Sequence, residues 1–372
     1  MKKVFYIVVV CALLVASGIS LWACKPREDT YEIALVTDVG NIDDKSFNEG
    51  SWNGVKKYAE DNGLTYAYYR PTEDSHQARL DAIGQAVENN AKIVVCPGYL
   101  FQTVVYEAQS LYPEVSFLLL DGEPNDENFA AEEGPDYRTD PNVHNIIYKE
   151  EQAGFLAGYG AVMDGKRKLG FIGGMDVPAV IRFGFGFVQG AEQAATELEL
   201  EDGAVDINYW YSDSFEPTDP IRTRAAEWYS GGTEVIFACG GKLYLSVLES
   251  AKAAGKPIIG VDVDQRAAIN ETKENVITSA EKKLTESVII ALTAYYENEG
   301  AWNETQSGKT ALLGAAEGAV GLPTSEDSWG FTEFTVEEYE DVFDKLVDGT
   351  IDVDDSIANM PATTKVTVNE IS

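Results

Sequence analysis

The amino-acid sequence predicts an α/β fold with two similar lobes, each a parallel sheet flanked by helices. Short β-branched apolar segments alternate with helical patterns rich in alanine, glutamate and lysine, as in repeated β-α-β units. The pattern occurs twice, and the 372-residue chain is longer than one typical core requires. Because ligands of such sheets bind beyond the carboxyl ends of the strands, we expect a site between the lobes.

The N-terminus has the pattern of an export signal. Two lysines precede an uncharged apolar stretch from Val4 to Leu21, and Cys24 follows shortly after it. We therefore expect a signal peptide at 1–23 and a lipidated N-terminus and linker at 24–32, with acyl chains such as palmitate on Cys24. The stretch is also long enough to span a bilayer, so an uncleaved anchor is the alternative. In both cases the protein is expected outside the cytoplasm, anchored to the cell membrane.

The composition excludes several classes of partner. The chain has 62 Asp and Glu against 28 Lys and Arg, a formal net charge of −34, which argues against binding nucleic acid. A single nucleoside carries no phosphate and stays compatible with this charge. With two histidines and no CxxC or HExxH motif, neither a metal nor a cofactor is expected. Cys96 and Cys239 are expected as buried free thiols, although an exported protein could pair them.

The first copy of the repeat begins with four predicted strands, at 33–37, 65–69, 92–96 and 115–120. The first strand runs into VTDVGNIDDKSFNEG at 36–50, which gathers acids, glycines and an aromatic ring. Three interpretations of that stretch compete: a metal-dependent hydrolase site, a pocket for a small polar molecule, or a solvated loop. Asp43 and Asp44 are expected to cap the helix that follows.

The second copy repeats these features in order. EIALVTDVG corresponds to KLGFIGGMD at 168–176, and FNEGSWNGVKKYA at 47–59 corresponds to FGFGFVQGAEQAA at 183–195. This alignment pairs Phe47 with Phe183, and a later pair of strands aligns Asp121 with Asp262. The spaced glycines of RFGFGFVQG lack the G-x-G-x-x-G spacing of a dinucleotide site, so we expect them to permit close helix packing.

These motifs carry a family resemblance. VTDVGNIDDKSFNEG, the GF..G helix, YSDSFEPTD, ACGG, GVDVDQ and TSAEKKL occur in order across nearly the whole mature chain. The set resembles the basic membrane protein family of lipoproteins. These are substrate-binding proteins of ABC transporters, and the characterised ones act as purine nucleoside receptors. The resemblance implies a monomer that serves the permease and ATPase subunits of a transporter.

The resemblance also implies a type I periplasmic-binding-protein fold, in which two α/β lobes joined by three crossovers close on the ligand. By analogy the first lobe comprises 30–146 and 277–318. The second lobe comprises 147–276 and 319–372.

Carried over residue by residue, the resemblance assigns contacts to the base of a purine nucleoside. Asp38 would accept from the purine edge, and the rings of Phe47 and Phe215 would sandwich the base. Asn48 lies beside the first ring. Phe183, the counterpart of Phe47 in the repeat, would either line the pocket or pack the second lobe.

The remaining assignments concern the sugar. Asp121 and Asp262 would face the ribose, and Lys282 in TSAEKKL would reach a sugar hydroxyl. The family motif usually has an apolar residue before this lysine, whereas this chain has Glu281 there and Lys283 after it.

The sequence leaves two alternatives to a receptor for guanosine, inosine or adenosine. One is a calcium-dependent nucleoside hydrolase, whose first strand is followed by D-x-D-x-x-x-D-D. Here the first acid position is Val36, and Asp38 stands five residues before Asp43 where that motif has four, so an enzyme is not expected. The other is a binding protein for a different small polar ligand.

Overall fold

A computed structural model describes residues 30–38, 40–128, 130–131 and 133–371. The predicted signal peptide and Cys24 lie outside the described residues. The chain forms two sheets with helices on both faces, so the predicted α/β architecture is confirmed.

The first sheet has six parallel strands. Its order is β11-β5-β4-β3-β1-β2, with β1 (Ile33–Val36), β2 (Tyr66–Tyr69), β3 (Ile93–Pro97), β4 (Ser116–Leu120), β5 (Val143–Tyr148) and β11 (Lys309–Leu313). The central strands β1, β3 and β4 are buried along their whole length, which explains their continuous apolar sequences. All four strands predicted for the first copy are present.

The second sheet has seven strands in the order β12-β10-β9-β8-β6-β7-β13. They are β6 (Lys168–Gly173), β7 (Val205–Tyr211), β8 (Val235–Cys239), β9 (Ile258–Asp262), β10 (Val276–Lys282), β12 (Val320–Gly321) and β13 (Val366–Glu370). Only β12 runs antiparallel to its described neighbour. The order β2-β1-β3-β4-β5 of the first sheet recurs as β7-β6-β8-β9-β10, which confirms the internal duplication.

The helices connect successive strands on both faces of the sheets. They are α1 (Phe47–Asn62), α2 (His76–Glu88), α3 (Gln102–Leu111), α4 (Glu150–Met163), α5 (Pro178–Glu197), α6 (Asp219–Ser230), α7 (Tyr244–Ala254), α8 (Gln265–Ala268), α9 (Leu284–Glu297) and α10 (Val336–Val347). We call the first sheet with α1, α2, α3 and α9 the first lobe. The second sheet and the other helices form the second lobe.

Helices α4 and α5 pack with their backbones in contact. A Cβ added at Gly154 or Gly158 would lie 2.1 or 2.0 Å from a carbonyl oxygen of α5. A Cβ at Gly186 or Gly190 would lie 2.0 or 1.9 Å from a carbonyl oxygen of α4. The prediction that the spaced glycines permit close helix packing is confirmed.

The chain passes between the sheets after β5, after β10 and between β11 and β12. The lobe boundaries at 146, 276 and 318 stay a prediction. Sheet pairing favours a second passage after Lys282, because β10 pairs with β9 in the second sheet.

A candidate ligand site between the two lobes

A cleft lies where the carboxyl ends of the strands of both sheets face each other. It encloses about 760 Å³ of empty space, including the part open to solvent, which is within the range of small-molecule sites. All eight residues predicted to bind the ligand line this cleft: Asp38, Phe47, Asn48, Asp121, Phe183, Phe215, Asp262 and Lys282. The structure thus brings together residues from distant parts of the sequence, and their contact with a ligand stays a prediction.

The two aspartates that the repeat aligns share an uncommon backbone conformation. Asp121 directly follows β4 and Asp262 is the last residue of β9, and their φ angles are +60° and +67°. Non-glycine residues rarely adopt this left-handed region. The chain therefore turns in the same way at both strand ends and places both carboxylates at the cleft.

Asp38 is oriented by a network on its own lobe. Its Oδ1 accepts from Asn48 Nδ2 at 3.0 Å and from the Gly40 N–H at 2.7 Å. Asn48 Nδ2 also donates to Asp44 Oδ2 at 2.9 Å, and Asn48 Oδ1 accepts from the Asp38 N–H at 3.4 Å. The amide of Asn48 therefore holds Asp38 in place, a role that its position in the motif does not reveal.

The two acids before α1 have different roles. Asp44 accepts backbone N–H groups of Ser46, Asn48 and Glu49, so its predicted capping role is confirmed. Burial raises the pKa of Asp44 to about 6, although these hydrogen bonds oppose the shift. The same expectation is wrong for Asp43, which is exposed and forms an ion pair with Lys242 of the second lobe at 3.4 Å. Among the described residues, the Asp44 carboxylate accepts the N–H groups at the start of α1, whereas the Asp43 carboxylate accepts from Lys242.

The aromatic rings enter the cleft from both lobes. Phe47 is the first residue of α1, and Phe215 lies in the loop between β7 and α6. The Phe215 ring packs on glycine backbone, since a Cβ added at Gly174 or Gly240 would lie 2.3 or 2.8 Å from its Cδ1. Phe183 lines the cleft and also packs edge-on against a core phenylalanine at 6.0 Å, so both alternatives for this residue are observed.

Lys282 lies between two buried carboxylates, those of Asp121 and Glu150, and Glu150 in turn pairs with the half-buried Arg182. The ammonium donates to Asp121 Oδ2 and lies 3.0 Å from Glu150 Oε1. Burial alone would lower the pKa of Lys282, but Asp121 and Glu150 outweigh burial and raise it. The ammonium also lies 5.0 Å from the centre of the Phe47 ring, a favourable cation–π distance.

The two strand-end aspartates retain capacity for further hydrogen bonds. Burial raises the pKa of Asp121 to about 7, with Lys282 opposing the shift. Asp121 Oδ1 is buried and has no hydrogen-bond partner among residues that the structure describes. Asp262 Oδ2 accepts from Ser46 Oγ of the first lobe at 2.6 Å, and burial raises its pKa as well.

Several residues of the site were not anticipated from the sequence. Asp44, Tyr99, Val180, Cys239 and Lys242 line the cleft. Gly98 and Gly240 also line the cleft. They follow β3 and β8, which are equivalent strands of the two sheets, and this equivalence indicates from the sequence that both glycines lie at the site. Cys96 and Cys239 are buried free thiols, as predicted. Within the described parts of the chain, no group of three or more His, Cys, Asp or Glu side chains is arranged to hold a metal ion.

A family model matches most of the chain. Its description is Bmp, the PnrA-like substrate-binding protein of ABC transporters, and it covers residues 32–356. The chain belongs to this family. The resemblance to basic membrane proteins drawn from the motifs is therefore confirmed.

Curated relatives cover nearly the whole chain. Basic membrane protein B of Borreliella burgdorferi is 26% identical over 326 residues, which are 86% of this chain and 89% of that protein. The CD4+ T-cell-stimulating antigen of Listeria monocytogenes is 26% identical and covers 92% of this chain and 96% of its own length.

Solved structures agree with the predicted fold. An ABC transporter solute-binding protein from Aeropyrum pernix superposes with a TM-score of 0.72 at 20% identity, covering 87% of this chain and 92% of that one. A second one, from Conexibacter woesei, gives 0.66 at 18% identity over 88% and 99% of the two chains. The chain of this Bmp-family protein therefore has the periplasmic-binding-protein fold. No helix in the described ranges is long and apolar enough to cross a bilayer.

Proposed function

We propose that this protein is the extracytoplasmic, lipid-anchored receptor of an ABC transporter and binds purine nucleosides such as guanosine, inosine and adenosine. The observation that carries the proposal is the composition of the cleft. Phe47 and Phe215 enter it from opposite lobes, and the carboxylates of Asp121 and Asp262, whose side chains are mostly buried, end in it. Flat rings suit a heteroaromatic base, and carboxylates suit the hydroxyls of a sugar.

The base would lie between the two rings. Base–aromatic stacking contributes roughly 1–3 kcal/mol per base in single-strand binders. Asp38, oriented by Asn48 and Gly40, would accept from a ring N–H or an amino group at the edge of the base. This arrangement requires the lobes to close, because Phe47 and Phe215 belong to different lobes.

The sugar would satisfy the polar groups at the floor of the cleft. A buried acceptor without a partner costs about 1–3 kcal/mol, and Asp121 Oδ1 is such an acceptor within the part of the chain that the structure describes. A ribose hydroxyl that donates to it removes this cost. Asp262 would accept from a second hydroxyl, and Lys282 would donate to a hydroxyl oxygen.

The proposed anchor and partners are supported by the N-terminal sequence and by the family. The family supplies substrate-binding proteins of ABC transporters, so we infer permease and ATPase subunits as partners. The apolar stretch from Val4 to Leu21 followed by Cys24 supports a lipid anchor at that cysteine. We infer that the protein acts as a monomer, with no cofactor and no nucleic-acid partner.

We propose binding rather than catalysis. A calcium-dependent hydrolase requires carboxylates that converge on a metal ion. Here the cation placed among the carboxylates of Asp121, Glu150 and Asp262 is the ammonium of Lys282. Incubation with inosine followed by an assay for free ribose tests the proposal, and accumulation of ribose would refute it.

Thermal unfolding with a panel of compounds tests the ligand class. A ligand that binds only the folded state stabilises it by about 4 kcal/mol at a thousandfold excess over Kd. We expect a Tm rise of several degrees with adenosine, guanosine or inosine, and a distinctly smaller one with 2′-deoxyguanosine. In Asp262→Ala the gap between guanosine and its 2′-deoxy form should narrow. A panel in which an amino acid or a free sugar gives the largest shift overturns the proposal.

A further inference from the structure

The ammonium of Lys282 is held from two directions. Asp121 reaches it from the first lobe. Glu150 belongs to the same lobe as Lys282 and forms an ion pair with it, with 3.0 Å between Oε1 and the ammonium. The contact with Asp121 therefore joins the two lobes, and the contact with Glu150 lies within the second lobe. Both lysine and glutamate side chains are almost completely inaccessible to solvent, at 1% and 0% exposure.

Glu150 is itself held in the ionised state. It is the first residue of α4, where the positive end of the helix dipole favours a carboxylate. Its Oε2 accepts from Arg182 Nε at 2.5 Å. Burial opposes ionisation, but Lys282 and Arg182 outweigh it and hold the pKa of Glu150 below its ordinary value.

Glu150 contacts the lysine from behind the cleft. Lys282 lines the cleft, whereas Glu150 is buried between α4 and the second sheet and reaches the site only through the ammonium. A lysine side chain loses rotamer entropy when it is fixed. A partner that fixes the ammonium before the ligand arrives removes that cost from binding.

We propose that Glu150, held in turn by Arg182, is a positioning residue of the ligand site. It fixes the Lys282 ammonium from within the second lobe, so that one N–H points at the position of a ligand hydroxyl while Asp121 accepts from the same ligand. The inference rests on the proposed function for the identity of the ligand, but the fixation of Lys282 is a property of the ligand-free protein. Glu150 and Arg182 therefore extend the site to residues that touch no ligand.

The chain offers a matched control in the next residue. Glu151 lies on the same helix with similar burial, and its Oε2 is 4.0 Å from Arg182 Nε. Glu150→Gln and Glu151→Gln therefore make the same chemical change one residue apart. Arg182→Gln tests the same chain of contacts without altering Glu150. It replaces Glu150→Gln in the experiments if that variant does not fold.

The first measurement needs no ligand. Nitrogen-15 NMR of lysine ammonium groups detects those that are buried and exchange their protons slowly, and Lys282→Gln identifies the resonance by its loss. We expect this resonance to broaden or vanish in Glu150→Gln and Arg182→Gln, and to persist in Glu151→Gln. A sharp resonance in Glu150→Gln would overturn the proposal.

The second measurement is calorimetric titration with guanosine. We expect at least tenfold weaker binding in Glu150→Gln, an intermediate loss in Glu150→Asp and a change within about threefold in Glu151→Gln. Unchanged guanosine affinity in Glu150→Gln, or an equal loss in Glu151→Gln, overturns the role in binding. If the native protein binds no nucleoside, the proposed function fails, and the ammonium resonance alone decides whether Glu150 fixes Lys282.

Discussion

Asp121 and Asp262 occupy equivalent strand ends and both have positive φ angles. Such a conformation costs a non-glycine residue on the order of 1–3 kcal/mol and persists where the surroundings impose it. Glycine would relieve the strain at either position. An aspartate with a strained backbone at the ends of both strands is explained if the direction of its carboxylate matters more than the cost of the strain.

The aromatic pair gives a test of single side chains. Phe47→Ala and Phe215→Ala should each weaken guanosine binding by roughly 1–3 kcal/mol, because each removes one face of the stack. Calorimetric titration measures the affinity, and denaturant unfolding of the same variants measures stability.

A buried phenylalanine outside the cleft is the control. Phe117 is fully buried in β4, so Phe117→Leu should lower the free energy of unfolding and leave the affinity of the folded protein unchanged. If Phe47→Ala and Phe215→Ala behave like Phe117→Leu, both rings are core residues and the stacking assignment is wrong.

The sequence predicted the cleft residues that follow strands, because the carboxyl ends of parallel strands meet at one edge. It did not predict Glu150 or Arg182, which reach the site only through Lys282. The sequence also did not predict that Asp43 and Asp44 have different roles. The path of the loop before α1 determines which of these two carboxylates reaches the N–H groups of the helix.

At the level of elements, strands with continuous apolar sequences were the most predictable. β1, β3 and β4 are central and buried, so their composition alone marks them. The edge strand β13 carries no such pattern and joins β7 from the far end of the chain. It is held by Glu192, which accepts backbone N–H groups of Thr364, Lys365 and Val366, and this long-range contact has no sequence signature.

The glycine contact between α4 and α5 predicts a large effect of one methyl group. A Cβ at Gly190 would lie 1.9 Å from the carbonyl oxygen of Phe155, so Gly190→Ala must push the helices apart. We expect a loss of about 1–3 kcal/mol or more in the free energy of unfolding, measured by urea denaturation.

The matched control is a glycine in a helix with room for a methyl group. At Gly84 in α2 an added Cβ meets only the Tyr112 hydroxyl, at 3.2 Å. Gly84→Ala should be neutral or stabilising by up to about 1 kcal/mol, because alanine is the better helix former. Equal effects of Gly84→Ala and Gly190→Ala would show that backbone contact does not limit the packing of α4 on α5.

Across the whole molecule, buried carboxyl groups should make stability depend on pH. Burial raises the pKa of Glu151 to about 7 and that of Asp44 to about 6. The folded protein therefore binds protons that the unfolded chain, with ordinary values near 4, releases. The contribution of these two groups to the free energy of unfolding should be most favourable below about pH 4–5 and should fall as the pH rises through about 7.

Glu151→Gln separates this effect from the general repulsion of an acidic chain. The variant cannot ionise at that position, so its stability relative to the native protein should rise by on the order of 2 kcal/mol between about pH 5 and 8. Urea unfolding at constant ionic strength measures the difference. A difference that is constant over this range would show that Glu151 titrates normally in the folded state.

One short segment before α1 makes several contacts with the second lobe. In residues 43–46, Asp43 pairs with Lys242, the Lys45 carbonyl accepts from Gln265 Nε2 at 3.0 Å, and Ser46 Oγ donates to Asp262. Phe47 follows this segment directly. The segment that contacts the second lobe therefore also positions the Phe47 ring in the cleft. Loss of a contact in this segment should change how long a ligand stays bound.

Ser46 offers the sharpest test of this coupling. Its hydroxyl donates to Asp262 Oδ2 at 2.6 Å and makes no capping bond to α1, because Asp44 caps the helix. Ser46→Ala therefore leaves the helix start intact and removes a hydrogen bond to a buried carboxylate, worth about 1.5–3 kcal/mol.

We expect Ser46→Ala to bind guanosine about tenfold more weakly or worse, mainly through faster dissociation. Stopped-flow displacement measures the rate. Ser51→Ala in α1 is the control, because the Ser51 hydroxyl donates to the Phe47 carbonyl of its own helix, and it should change the rate less than about twofold. Equal dissociation rates in the native protein and Ser46→Ala would contradict the coupling.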